Sequence, residues 1–229
     1  MTTPASYQHN HTGTNYAATS ATWLLTATGA QFDLRHIDPG HISLLDIAHH
    51  LAQINRFTGA CMRPMSVAEH SLLVLAIVET TLPAADPAIL LAALMHDAHE
   101  AYTSDLGTPM KNVVGDAWRM EENRIQRAVL QRFNLVDASA SARKLIHWAD
   151  RTALVTERKH LLPHTGPAWE AERLHEPYAG WDFPEHAKLG WADWRDMFIE
   201  RFAELEYARK AARPVLVGGT PQQQPTTPT

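Results

Sequence analysis

LMHDAHEAYTSDLGTPMK, residues 94–111, closes an apolar run that begins with DPAILLAALM at Asp86. The run reads as a buried helix, with Asp86 as N-cap and Pro87 at the first helical position. Buried helices rarely end in His, Asp, His and Glu packed together. His96 and Asp97 are neighbours, about 100° apart around a helix axis, so both side chains can converge on one ion at the helix edge. Glu100 follows four residues after His96 and three after Asp97, on the same side one turn later. On this reading a single helix over residues 87–102 carries two metal ligands and a further carboxylate.

Working outward, the chain punctuates itself as helices. Ser66 and Glu69 make a Ser-x-x-Glu capping box ahead of VAEHSLLVLAIVETTL, and His70 lies one turn inside that helix. Ser43 opens SLLDIAHHLAQINRF, with Leu44, Ile47, Ala48, Leu51 and Ile54 at helical spacing. GTP at 107–109 breaks the pattern. WRMEENRIQRAVLQRF is amphipathic, with Ile125, Val129 and Phe133 available to face inward. Ser139 or Ser141 starts ARKLIHWADRTALVTERKHLL, and Asp150 falls mid-helix among residues that read as core. PHTGPAWEAERLHEPYAGWDFPEH is long and irregular, and DWRDMFIERFAELEYARKAA closes the domain as a helix. ATGAQFDL (27–34) suits a short extended segment or hairpin; strand-like alternation is otherwise nearly absent. The expected class is all-α, a helical bundle.

Composition narrows the partners. The chain has 229 residues, 45% of them apolar, enough for one domain with a real core plus tails. Residues 1–20 read as a flexible N-terminal tail and 214–229 as a disordered C-terminal tail rich in Pro, Thr and Gln, leaving 21–213 as the domain. A net charge of -5 offers no basic field for a polymeric nucleic acid. The single cysteine, Cys61, excludes an intrachain disulfide and fits a reducing compartment. No apolar run approaches the roughly 20 residues of a membrane span, and the first residues lack a signal-peptide pattern. A cytoplasmic protein is expected.

Four residues on three apolar helices stand out: His70, His96, Asp97 and Asp150. Two imidazoles and two carboxylates suit one divalent ion such as Mn, Co, Zn, Ni or Mg. An Asp inside a helix core is costly unless paired or metal-bound. Four ligands leave positions open on a metal that prefers six, room for water and a phosphate oxygen, where the metal acts as a Lewis acid. Glu100, surplus to the ligand set, is placed to handle a proton. Each residue alone has a plainer reading: His70 as a satisfied helix histidine, Asp150 as a partner of Arg151 or Arg143. His49, His50, His99, His147 and His160 read as structural or exposed, with His99 near enough in sequence to approach the site.

The H…HD…D pattern resembles the HD-domain superfamily of metal-dependent phosphohydrolases. The fuller string of SVAEHS, HDAHEAYTSDLGTPMK and WADRTAL is similar to its 5′-deoxynucleotidase branch, including phage and prophage HD hydrolases and phage dATP triphosphohydrolases. The likeness covers roughly residues 24–160 and implies an HD-domain bundle. It implies His70, His96, Asp97 and Asp150 as ligands of one divalent metal. Glu100 would align or deprotonate the attacking water, and Asp105 would be the second catalytic carboxylate. Arg56 and Lys111 would line the phosphate pocket; without the family, plain solvent exposure explains them as well. That branch often has Trp after the arginine, whereas this chain has Phe57, which can still stack on a base or sugar. The implied activity is hydrolysis of the 5′ phosphoester of a deoxynucleotide, dNMP or a dNTP such as dATP. A non-catalytic HD domain that senses nucleotide is the alternative. The expected partners are a small-molecule deoxynucleotide and further copies of the chain in a homo-oligomer.

Overall fold

Local side-chain caps start the first three α-helices, while several later helices start without one. The computed structural model describes residues 22–163 and 165–212; the expected tails, 1–20 and 214–229, lie outside them. Two short strands, β1 (Trp23–Leu25) and β2 (Gln31–Asp33), pair antiparallel with Trp23 opposite Asp33. Their connection passes through Gly29 at φ +85, a conformation that suits a residue without Cβ. The hairpin is tied down by the buried Asp46, which accepts from Thr28 N (2.7 Å) and Thr28 Oγ1 (2.8 Å). Everything else regular is helical, as expected.

Helix α1 (Leu44–Gln53) begins where Ser43 accepts from Leu45 N. It ends earlier than its sequence pattern suggests, because Ile54 and Asn55 turn extended and Asn55 bridges to Ser66. Helix α2 (Val67–Thr81) starts at Ser66, whose Oγ accepts from Glu69 N at 3.1 Å. Only half of the expected capping box forms. The buried Glu69 carboxylate turns instead to Arg63, which donates two hydrogen bonds at 2.8 and 2.6 Å. α2 is buried along most of its length and contributes to both apolar clusters of the core.

The expected single helix over 87–102 is broken. Helix α3 (Pro87–Leu94) starts at Asp86 and Pro87 as the sequence indicates, with Asp86 accepting from Ala88 N. After Leu94 the chain tightens into turns closed by Ala98 N to Met95 O (3.2 Å) and Glu100 N to Asp97 O (3.0 Å), and α4 (Glu100–Thr103) follows. A break inside a core frees backbone groups that need partners. Gln126 supplies them: its amide donates to Met95 O at 2.8 Å and accepts from His99 N at 3.1 Å. His96 and Asp97 therefore project from a turn between two helices.

Helix α5 (Thr108–Val114) leads through Gly115, at φ +80, into α6 (Asp116–Arg132), where Ile125 and Val129 are buried. A short α7 (Val136–Ser141) precedes α8 (Arg143–Leu161), which carries Asp150. The stretch after α8 is mostly irregular, with a 3-10 turn at Glu170–Arg173 and a short α9 (Phe183–His186). It is fastened onto α8 where Thr156 Oγ1 accepts from Tyr178 N at 2.8 Å. The long α10 (Trp191–Ala212) packs across α1 and α3, while α2 packs on α3 and α8. Among the described residues no helix is long and apolar enough to cross a membrane.

Candidate metal centre

Three elements meet at one point. His70 comes from the first turns of α2, His96 and Asp97 from the turn after α3, and Asp150 from the middle of α8. His70, His96 and Asp97 bring one ligand atom each within 4.8 Å of one another. His96 Nε2 lies 3.1 Å from Asp97 Oδ2, and His70 Nε2 lies 3.5 Å from the same oxygen. Asp150 joins through its Oδ1, 3.2 Å from His70 Nε2. Donors bound to one ion at 2.0–2.2 Å stand about 3.0 Å apart at right angles and about 3.4 Å apart in a tetrahedron. The observed separations are of that size, so His70, His96 and Asp97 could hold a metal ion, with Asp150 in contact with the group through His70.

Both imidazoles are oriented for the task. His96 Nδ1 donates to Ala93 O at 2.9 Å and His70 Nδ1 donates to Glu157 Oε1 at 2.5 Å, so each ring presents Nε2 to the cluster. Neither Nε2 completes a well-aligned hydrogen bond, although both are buried. A buried polar atom without a partner is costly, and a cation would satisfy both. His70 is fully enclosed, whereas the Asp97 and Asp150 side chains keep 22% and 32% of their surface exposed. The centre opens to solvent on the carboxylate side.

Charge is concentrated here. Burial alone would raise the Asp97 carboxyl, but His96, His70 and His99 outweigh it and hold it well below the usual range. Burial and Arg56 both push the His70 imidazole down, yet Glu157 and Asp150 carry it up to about 9. Surroundings that favour a proton on His70 also favour a metal ion, so metal binding releases protons. Glu100 is buried beside this cluster, its Oε2 without a hydrogen bond. Burial, then Asp97 and Asp105, push its carboxyl well above the ordinary value. Asp105 is half-buried and also raised, chiefly by burial.

Two cations line the same region. Arg56 is buried rather than exposed, its Nε donating to Glu157 Oε2 at 2.9 Å. Its charge acts on Asp105, Asp150 and Asp97 as well as Glu157. Lys111 reaches Glu122 Oε1 at 2.8 Å and stands 3.9 Å from Glu100 Oε1. Phe57 adjoins Arg56 on left-handed backbone, φ 54. The described structure thus brings every expected site residue into one neighbourhood or its immediate border.

Two carboxylates escaped the sequence reading. Glu157 is fully buried and bonds both His70 and Arg56, so one side chain orients a ligand and a cation. Its signal was spacing: Glu157 follows Asp150 by two turns of α8, on the same face. Glu122, held near pKa 2 by His99, Lys111 and Trp118 against the effect of burial, anchors Lys111. His99, expected to be structural or exposed, is buried with Nε2 at 3.7 Å from Glu122. His50 is structural, bonding Ala101 O through Nδ1 and Ala27 N through Nε2.

Glu157→Gln is expected to weaken metal binding about 10–100-fold, the usual cost of losing a carboxylate behind a ligating imidazole. Titration with Mn or Co, followed by calorimetry, measures this. Unchanged affinity would mean that Glu157 serves Arg56 alone.

An all-α bundle with a His/Asp cluster suited to a metal ion is the class that fold and site define. The chain is 31% identical to the uncharacterized protein YfdR of Escherichia coli over 190 residues, 83% of this chain and 99% of the relative. It therefore belongs to the YfdR family. An uncharacterized protein of Rhodobacter capsulatus, RCAP_rcc00048, is 37% identical over 115 residues, 49% of this chain and 59% of that protein. No protein-family model matches the chain.

Proposed function

We propose that this chain is an HD-domain phosphohydrolase that cleaves the 5′ phosphoester of a deoxynucleotide, dNMP or dNTP, with one divalent metal. The observation that carries the reading is the convergence of His70, His96, Asp97 and Asp150 on one half-open point, flanked by Glu100, Arg56 and Lys111. The metal, when bound, supplies Lewis-acid polarisation and lowers the pKa of water.

The chain's own residues do the rest. Arg56, fixed at Nε by Glu157, keeps its terminal nitrogens for phosphate oxygens. Lys111, steadied by Glu122, adds a second positive charge beside Glu100. The buried Glu100 carboxylate takes a proton from the attacking water, and Asp105 lies within its electrostatic reach. A nucleotide sensor has no use for the buried Glu100, whose Oε2 lacks a hydrogen bond at a cost to stability.

The test is a panel of dNMPs, dNTPs and ribonucleotides with added Mn or Co, products read by chromatography. Phe57 packed against the sugar would leave an added 2′-hydroxyl without a partner, a cost of about 1–3 kcal/mol. Selectivity for deoxyribose of roughly 10–100-fold in kcat/KM is expected for dAMP over AMP or dATP over ATP. Phe57→Ala should narrow that gap. Equal values for both sugars in the parent enzyme would leave a general phosphohydrolase on this scaffold. Binding without product would leave the sensor.

A further inference from the structure

Trp169 belongs to the irregular segment after α8, yet its ring lies beside Phe57, which precedes α2. The ring centroids are 6.1 Å apart and the planes splay by 27°. The Arg56 guanidinium stands 5.2 Å from the Phe57 centroid, and the Arg158 guanidinium 4.1 Å from the Trp169 centroid. Each ring thus has a guanidinium within cation–π reach, Arg56 by Phe57 and Arg158 by Trp169.

The Trp169 side of the pair is anchored by an ion pair and hydrogen bonds. Arg158 Nε is 3.0 Å from Glu172 Oε1, and its terminal nitrogen donates to Pro167 O at 2.9 Å. The Trp169 backbone N–H donates to Glu172 at the start of the 3-10 turn. On the other side Phe57 and Thr58 both adopt left-handed backbone, φ 54 and φ 53. Bulky residues seldom occupy that region, and such strain persists where surrounding structure enforces it, often at binding sites.

The spacing distinguishes this pair from core packing. Phe32 and Tyr102, stacked directly in the core, have centroids 4.0 Å apart with planes at 17°. The Phe57–Trp169 pair is wider and more open. The 6.1 Å between the centroids is less than a base sandwiched between two rings needs, so the splayed rings must part to admit one.

We propose that Trp169 is a base-binding residue that forms with Phe57 an aromatic clamp for the base of the nucleotide. This rests on the deoxynucleotide reading above and adds the element that holds the base. Arg56 ties the clamp to the metal centre, since it faces Phe57 on one side and bonds Glu157 on the other. The clamp takes any planar heteroaromatic base through its faces, because stacking tolerates every base.

The experiment uses the full chain loaded with Mn and two probes, dAMP and the base-free deoxyribose 5-phosphate, with binding read by calorimetry. Trp169→Ala is expected to weaken dAMP roughly tenfold or more, the scale of one base–aromatic stack, and to leave deoxyribose 5-phosphate unchanged. Trp169→Phe keeps a ring and should retain most of the affinity. Equal weakening of both probes, or no weakening of dAMP, overturns the clamp. If the parent chain binds dAMP in this base-dependent way but releases no product, the hydrolase reading falls and the clamp stands. If the parent turns over dAMP yet binds it no better than deoxyribose 5-phosphate, the clamp falls and the hydrolase reading stands.

Discussion

His70→Ala is expected to empty the metal centre and reduce turnover to background. His70 is fully enclosed, and its Nε2 lies within 3.5 Å of both Asp97 Oδ2 and Asp150 Oδ1. Removing it deletes one donor and leaves Glu157 with Arg56 as its remaining partner. Breaking a buried charged pair typically costs about 3–5 kcal/mol, so the variant is also expected to melt earlier. Asp150→Asn separates the two effects. Asp150 is half-exposed, so its loss should strip metal with little cost to the fold. Elemental analysis of both purified variants, with circular dichroism to monitor folding, gives the answer. Metal content equal to that of the parent in both would dismantle the four-ligand site.

Glu100→Gln carries the second large effect, with the opposite signature. Metal content should stay at the parent level, because Glu100 lies outside the ligand set. Turnover should fall about 10²–10⁴-fold, the usual contribution of a positioned general acid or base. Glutamine keeps the size of the side chain in this buried position, so packing changes little. The loss should appear in kcat, with KM for the deoxynucleotide nearly constant. A fall of less than about tenfold would show that the reaction runs without a proton acceptor at this position. Together the variants distinguish a residue that holds the metal from one that acts beside it.

Three helix starts were legible because their causes are local, whereas α8 starts after Ala142 without a side-chain cap and not at Ser139 or Ser141, which lie in α7. Ser43, Ser66 and Asp86 each cap the helix that follows, within two or three residues of the backbone N–H they accept from. The scarcity of strands was legible, but of the hairpin only β2 lies within the expected 27–34 segment, and β1, Trp23–Leu25, precedes it. The His70, His96, Asp97 and Asp150 set could be read because polar residues inside apolar helices demand a partner. His70 and Asp150 lie on helices as expected, whereas His96 and Asp97, expected on a helix, project from the turn after α3.

The rest depended on side chains distant in sequence. The break after Leu94 exists because Gln126, on α6, satisfies the backbone groups of Met95 and His99; within residues 87–102 nothing announces it. Glu69 left its capping box because Arg63 offered two charge-assisted hydrogen bonds. Glu157 became the support of the centre only when α8 packed against α2, placing its carboxylate between His70 and Arg56. Trp169 met Phe57 only when the segment after α8 folded back over the turn before α2. Caps and apolar periodicity act over a turn or two of backbone, so a sequence states them directly. A buried donor or ring takes whichever partner the packed helices bring within reach, and that choice belongs to the tertiary structure.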